Sequence, residues 1–206
     1  MRSRVLVRFV AFVVASVFAA GLWANGQQFD LAWLRWFSLS VWVTLSLLLL
    51  WDRLVWRLPW LQRFPGVPRD IGGTWRGTLT SFWIDPKTGQ RPEPKTAYLV
   101  VRQRATSVSA VLLTDESRSK STVAVVSDDG TVASFDYMYV NRPDSRVEHR
   151  SRMHHGSTSL DIVGRPATRL RGRYWTDRDT KGELEFGVRS SKVIDGYAEA
   201  RKLFGG

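Results

Sequence analysis

Apolar residues run almost unbroken through 5–23 and 31–51, then give way after Gly73 to short runs in which apolar and polar positions alternate. The first two stretches hold 19 and 21 positions, enough for helices that cross a hydrocarbon core of about 30 Å. Each carries one arginine near its start, Arg8 and Arg35, where a long basic side chain can snorkel to the interface. Trp23, Trp33, Trp36 and Trp51 fall near the ends, at the depth where indoles favour headgroups. Only 24–30 separates the two, so residues 1–51 read as a two-helix transmembrane anchor.

Basic residues orient this hairpin. Arg2, Arg4 and Arg8 precede or open the first span, Arg53, Arg57, Arg63 and Arg69 follow the second, and the connector has no Lys or Arg. The positive-inside rule then places the N-terminus and everything after the second span in the cytoplasm. The rival is a cleaved signal peptide, with Arg2, Arg4 and Arg8 as its charged region and Val17-Phe18-Ala19 before the cut. Even then the second span would hold the rest of the chain inside. Residues 52–69 form a juxtamembrane linker. Trp51, Val55, Leu58 and Leu61 sit near helical spacing, which fits an interfacial helix, while Pro59, Pro65-Gly66 and Pro68 fit an irregular connector equally.

Residues 70–206 predict an all-β domain. Eight strand-like runs recur, at 73–83, 95–105, 107–114, 119–126, 131–141, 147–163, 169–178 and 183–190. Asp85-Pro86-Lys87-Thr88-Gly89, Asp128-Asp129-Gly130, Arg142-Pro143-Asp144 and Thr180-Lys181-Gly182 supply the turns. Eight strands is the number at which an antiparallel up-and-down β-barrel of lipocalin type has an interior filled by side chains or by one small ligand. Residues 194–203 are a short C-terminal helix without an assigned place.

Alternation picks the inward faces. Trp75, Gly77, Leu79, Ser81 and Trp83 share a face, as do Val108, Ala110, Leu112 and Thr114. Phe135, Tyr137, Tyr139 and Asn141 form a third set, and Leu170, Gly172, Tyr174, Thr176 and Arg178 a fourth. Each odd strand begins apolar or small and ends polar or aromatic. In a meander all odd strands finish at one mouth, where Trp83, Thr114, Asn141 and Arg178 converge. Even strands start there, adding Lys95, Thr96 and Ser119, with Ser117 in the preceding turn. The first strand leaves the membrane side, so this mouth faces away from the bilayer, and Trp75 and Leu170 seal the other end. Trp83, Tyr139 and Tyr174 offer faces for stacking bases. Arg178 and Lys95 suit phosphates. Asn141, Thr96, Thr176 and the serines suit base edges or ribose hydroxyls. A filled barrel with an ordinary polar rim would read the same way.

Composition narrows the chemistry. The chain has 206 residues and no cysteine, which excludes disulfides, thiolate metal sites and cysteine nucleophiles. The net charge is +11, with 8 basic and 2 acidic side chains in residues 1–69 against 22 and 17 in residues 70–206. Most of the excess thus serves the anchor and anionic lipid. The mildly basic β-domain permits a small anionic ligand but lacks the dense stripe that DNA or RNA wants. His149, His154 and His155 fall in one run, and neighbours such as His154 and His155 point to opposite faces, so no metal is expected. No G-x-S-x-G, phosphate-binding loop or H-E-x-x-H is present. Nor is there a nucleophile beside a base. Binding, not catalysis, is the expectation, with no cofactor.

Several stretches resemble a known family. They are Ile71-Gly72-Gly73-Thr74-Trp75-Arg76-Gly77, then Thr114 with Ser117, Ser119 and Ser121, then Tyr137-Met138-Tyr139-Val140-Asn141-Arg142-Pro143. Gly172-Arg173-Tyr174-Trp175-Thr176-Asp177-Arg178 and Thr180-Lys181-Gly182-Glu183 complete the set. In this order, behind two spans, they resemble the two-transmembrane β-barrel effectors of bacterial cyclic-oligonucleotide anti-phage signalling (CBASS). The resemblance implies an inner-membrane protein whose barrel binds a cyclic dinucleotide made by a partner nucleotidyltransferase. Binding would drive self-association of the spans, disruption of the inner membrane and death of the infected cell. Ser38, Ser40, Thr44 and Ser46 on the second span could support such association. Two rivals remain: an anchored lipocalin-like binder of an apolar metabolite or lipid, and a scaffold that docks a protein on the barrel exterior.

Overall fold

The computed structural model describes residues 3–24, 32–64, 66–147 and 151–205. Arg2, the connector from residue 25, Pro65 and His149 lie outside them. The chain forms two compact units, residues 1–61 and 62–206.

The first unit pairs α1 (Ser3–Ala24) with α2 (Ala32–Arg53). Gly21 makes room for Trp36, since a Cβ there would meet the indole at 2.7 Å. Ser40 and Thr44 are buried and donate to Phe37 O and Ser40 O, both at 2.7 Å. Their hydroxyls are thus occupied within their own helix. Phe12 and Trp42 are about 70% exposed, with their side chains largely uncovered by the described residues. Among the described residues, 35–57 is long and apolar enough to cross a membrane by length and composition, and α1 holds a shorter apolar run, Val10–Gly21. Beyond α2 the chain makes two 3-10 turns, Val55–Arg57 and Leu61–Arg63, rather than one interfacial helix.

The second unit is a closed barrel of β1 (Gly73–Ser81), β2 (Lys95–Gln103), β3 (Val108–Leu113), β4 (Ser117–Asp128), β5 (Ala133–Pro143), β6 (His154–Val163), β7 (Arg169–Thr176) and β8 (Lys181–Ser190). Every neighbouring pair is antiparallel, and β8 returns to β1. Chain order is spatial order, as the meander reading requires. Trp75, Leu99, Phe135, Leu160, Leu170 and Phe186 are fully buried inside, so the half nearest the start of β1 is packed solid.

Two register shifts shape the wall. One falls between Ser121 and Val123 on β4, the other opposite Arg76 and Gly77 on β8. An extra residue turns every following side chain to the other face. Ser119 and Ser121 therefore belong with the inward set before the shift, and Ala124 and Val126 after it. The second shift brings the Arg189 guanidinium over the Trp75 ring, 5.3 Å from its centroid.

Gln62 and residues 66–72 are fastened to the closed end. Gln62 donates to Pro68 O and accepts from Asp70 N, while Gln103 accepts from Ile71 N and donates to Arg69 O. Arg69 and Arg165 both pair with Asp128, which ends β4 at this end and which the bulge turns to the inner face, and Arg189 grips Asp70 and Gly72. The C-terminal helix α3 (Tyr197–Leu203) lies on the outer face of β2 and β3. There Ala200 and Phe204 cover Tyr98, Val100, Val111 and Leu113. Tyr98 meets Tyr197 edge-on at 5.3 Å.

A candidate ligand site at the open end of the barrel

Topology gathers the ends of β1, β3, β5 and β7 with the starts of β2, β4, β6 and β8 at one rim. Trp83, Lys95, Thr114, Ser117, Ser119, Asn141, Thr176 and Arg178 all lie at this rim, as do the interior rings Tyr139 and Tyr174 just below it. Their side chains sort into three settings.

The inward set is buried and bonded. Ser119 and Asn141 are each 5% exposed, and Ser119 Oγ lies 2.8 Å from Asn141 Oδ1. Asn141 Nδ2 lies 3.5 Å from His154 Nδ1 across the β5–β6 pairing. Tyr139 and Tyr174 each lie over a glycine on the next strand. A Cβ at Gly156 would collide with the Tyr139 ring, and one at Gly182 would stand 2.6 Å from Tyr174 Cε1. Glycine at these two places is thus what lets the rings lie flat against the wall. Burial pushes both phenols above their ordinary value, more strongly for Tyr139, and a hydrogen bond with Ser81 opposes it at Tyr174. Both are neutral donors at physiological pH.

The second set holds the rim itself. Thr114 Oγ1 accepts from Ser117 N at 3.0 Å and closes the β3–β4 turn. Thr176 and Thr180 hydroxyls meet at 2.6 Å across the β7–β8 turn. Lys95 reaches Glu116 at 2.7 Å and Asp115 at 3.9 Å, so its charge is partly neutralised.

The third set departs from the expectation. Thr96 pairs with Thr78 on the outer face and is exposed, because Lys95 takes the inward position beside Leu79. Trp83 lies beyond the end of β1 in the loop to β2, 42% exposed. Arg178 sits in the β7–β8 turn, exposed, with Nη1 3.3 Å from Ser151 Oγ of the β5–β6 loop. That leaves its guanidinium at the lip rather than inside.

Sequence reasoning missed the layer below. Thr158 and Gly156 face inward on β6; the sequence run from 147 hides this alternation, because the strand starts only at His154. In the sequence His154 suggests only a metal ligand. Its signal was register: counting β6 back from the hairpin with β5 puts it opposite Asn141. His155 falls on the other face, opposite Val140. Outside the barrel, Val123, Met138 and Trp175 stand in one cross-strand row at 63%, 57% and 51% exposure, with Ser157 between the last two. A scaffold would expose an apolar surface of this kind.

A family model described as Cap15, cyclic dinucleotide receptor domain, matches residues 66–187, more than half of the chain. The chain belongs to this family. The match takes in β1 through β7 whole and most of β8, which is the barrel and its open end. Among curated proteins, CD-NTase-associated protein 15 of Staphylococcus schleiferi is 26% identical over 175 residues, covering 85% of this chain and 87% of that protein. That length exceeds the barrel unit, so the likeness runs into the helical unit as well. Membership of the Cap15 family agrees with the resemblance read from the ordered motifs, and it makes the barrel a receptor domain for a cyclic dinucleotide.

Proposed function

We propose that the open end of the barrel takes a cyclic dinucleotide supplied by a partner nucleotidyltransferase. Occupancy then drives self-association of the helical unit and disruption of the bacterial inner membrane, killing the cell as an anti-phage defence. The observation that carries this is the mouth of a Cap15-family barrel lined by Tyr139, Tyr174, Ser119 and Asn141 with Arg178 at its lip. Aromatic faces stack bases, neutral hydroxyls and amides bond their edges, and a guanidinium suits phosphate. The packed lower half, with Trp75, Phe135, Leu170 and Phe186 fully buried, favours this over a wide apolar cup for a lipid tail.

In this reading both helices span the inner membrane and the barrel lies in the cytoplasm with the messenger. The exposed apolar faces of α1 and α2 support membrane residence. The ligand must bind the associated state more tightly than the resting one, since only differential affinity shifts an equilibrium. The test is the full chain in nanodiscs, titrated with cyclic di-AMP, cyclic di-GMP and cyclic di-UMP by calorimetry. Dye leakage from liposomes is then followed with the binder. Binding and ligand-dependent leakage are expected. Binding without leakage would leave a receptor and remove the membrane-disrupting role.

A further inference from the structure

The inner wall beneath the mouth is layered along the β5–β6 pairing. Asn141 faces His154, Tyr139 faces Gly156, Tyr137 faces Thr158, and Phe135 faces Leu160. The last layer is apolar and fully buried. Tyr137 and Thr158, 3% and 2% exposed, with Tyr174 paired to Thr158 on β7, are therefore the deepest polar row before the packed half. Their hydroxyls lie side by side, close enough for Thr158 to lower the Tyr137 phenol slightly, but outside hydrogen-bond geometry. Among the described residues, Tyr137 Oη and Thr158 Oγ1 are the buried side-chain polar atoms without a hydrogen-bond partner.

That arrangement works against stability. A buried hydroxyl without a partner is unfavourable, and Phe and Val would fill the same volumes without it. Two such groups side by side, at the boundary between polar mouth and apolar floor, mark a place shaped for something other than folding. Each hydroxyl can both donate and accept. Burial pushes the Tyr137 phenol up to about 12, against a smaller opposing pull from Thr158, so it keeps its proton at physiological pH. The layer is thus neutral, while the cationic groups Lys95 and Arg178 stand at the rim.

We propose that Tyr137 and Thr158 are the specificity-determining floor of the site, bonding the edge of one base that enters between the Tyr139 and Tyr174 rings while the phosphates stay at the rim. This rests on the reading that the mouth takes a cyclic dinucleotide. A neutral pair of donor–acceptors at the bottom and charge at the top fixes the ligand's polarity: base inward, backbone outward. Phe135 and Tyr139 flank the Tyr137 ring at centroid distances of 5.1 and 6.0 Å, which holds the lower hydroxyl in place.

The experiment uses Tyr137→Phe, Thr158→Val and the double variant of the full chain in nanodiscs. Each is compared with wild type for thermal midpoint and for affinity to cyclic di-AMP, cyclic di-GMP and cyclic di-UMP. Both single variants are expected to raise the midpoint and to weaken the preferred nucleotide by about tenfold. The double variant is expected to lose most discrimination among the three. Affinities within twofold of wild type overturn the proposal. So does a fall in midpoint for both variants, which would mean that the hydroxyls serve the fold. Failure of wild type to bind any of the three overturns the reading beneath it, and is told apart by needing no variant.

Discussion

Ser119 Oγ lies 2.8 Å from Asn141 Oδ1 on neighbouring strands of the barrel mouth, with both side chains buried. The serine hydroxyl donates, which fixes the amide so that its Nδ2 faces the His154 ring, 3.5 Å away. A hydrogen-bonding group oriented in advance loses little entropy when a ligand arrives.

Asn141→Ala removes that group and leaves the Ser119 hydroxyl buried without its acceptor. We expect a loss of about 1–3 kcal/mol in stability and a drop of at least about tenfold in cyclic dinucleotide affinity. Arg178→Ala separates the two effects, because Arg178 is exposed at the lip. Its unfolding midpoint should match wild type while affinity falls and the salt dependence of binding flattens. Denaturant melts and calorimetry read both. Wild-type affinity in both variants would move the ligand elsewhere.

Gly156→Ala tests the seat of the Tyr139 ring. The new methyl collides with the ring, so overpacking should cost about 1–3 kcal/mol. Adding Tyr139→Ala to Gly156→Ala removes the ring from the collision, although the methyl still stands 2.7 Å from Trp175 O, so the cost of the pair should fall short of the two single costs summed. Affinity should stay low in the pair, since the stacking face is gone. Recovery of affinity in the pair would mean that the ring is packing alone.

Asp128 carries the acid sensitivity of the closed end. Burial alone would raise its carboxyl, but hydrogen bonds from Arg69, the Gly130 amide and Arg165 hold it below the ordinary carboxylate range. A depressed folded-state value means that its stabilisation is complete above the unfolded value near 3.9 and drains away as pH falls through the folded one. Asp128→Asn should destabilise the barrel by about 2–4 kcal/mol at pH 7 and flatten the decline in denaturation midpoint between pH 5 and pH 2. A variant with the wild-type acid limb would assign that limb to other carboxylates.

Much of this architecture was legible because strand periodicity is local. Trp75, Tyr137, Tyr139, Asn141 and Tyr174 announce their face through simple alternation, and chain order equals spatial order, so the rim follows without knowledge of distant contacts. What was hidden depended on partners. The bulge after Ser121 adds a residue that no local pattern marks, and it turns Asp128 to the face of Ala124 and Val126. Thr96 was misplaced because a strand start offers two adjacent polar residues, and only the pairing of Lys95 with Leu79 decides which turns in. Thr158 stayed out of view because the strand boundary ahead of it was set seven residues early, within a loop that begins with a 3-10 turn at Ser145–Val147. The place of α3 was equally unreadable, since its partner Tyr98 lies about a hundred positions away in the chain.

The fastening of Gln62 and residues 66–72 by Gln103, Asp128, Arg165 and Arg189 has a mechanical corollary. This stretch is a stiff stem of the receptor rather than a loose tether. Any twist imposed on the barrel wall is shared by Asp70 and Gly72 through the Arg189 guanidinium.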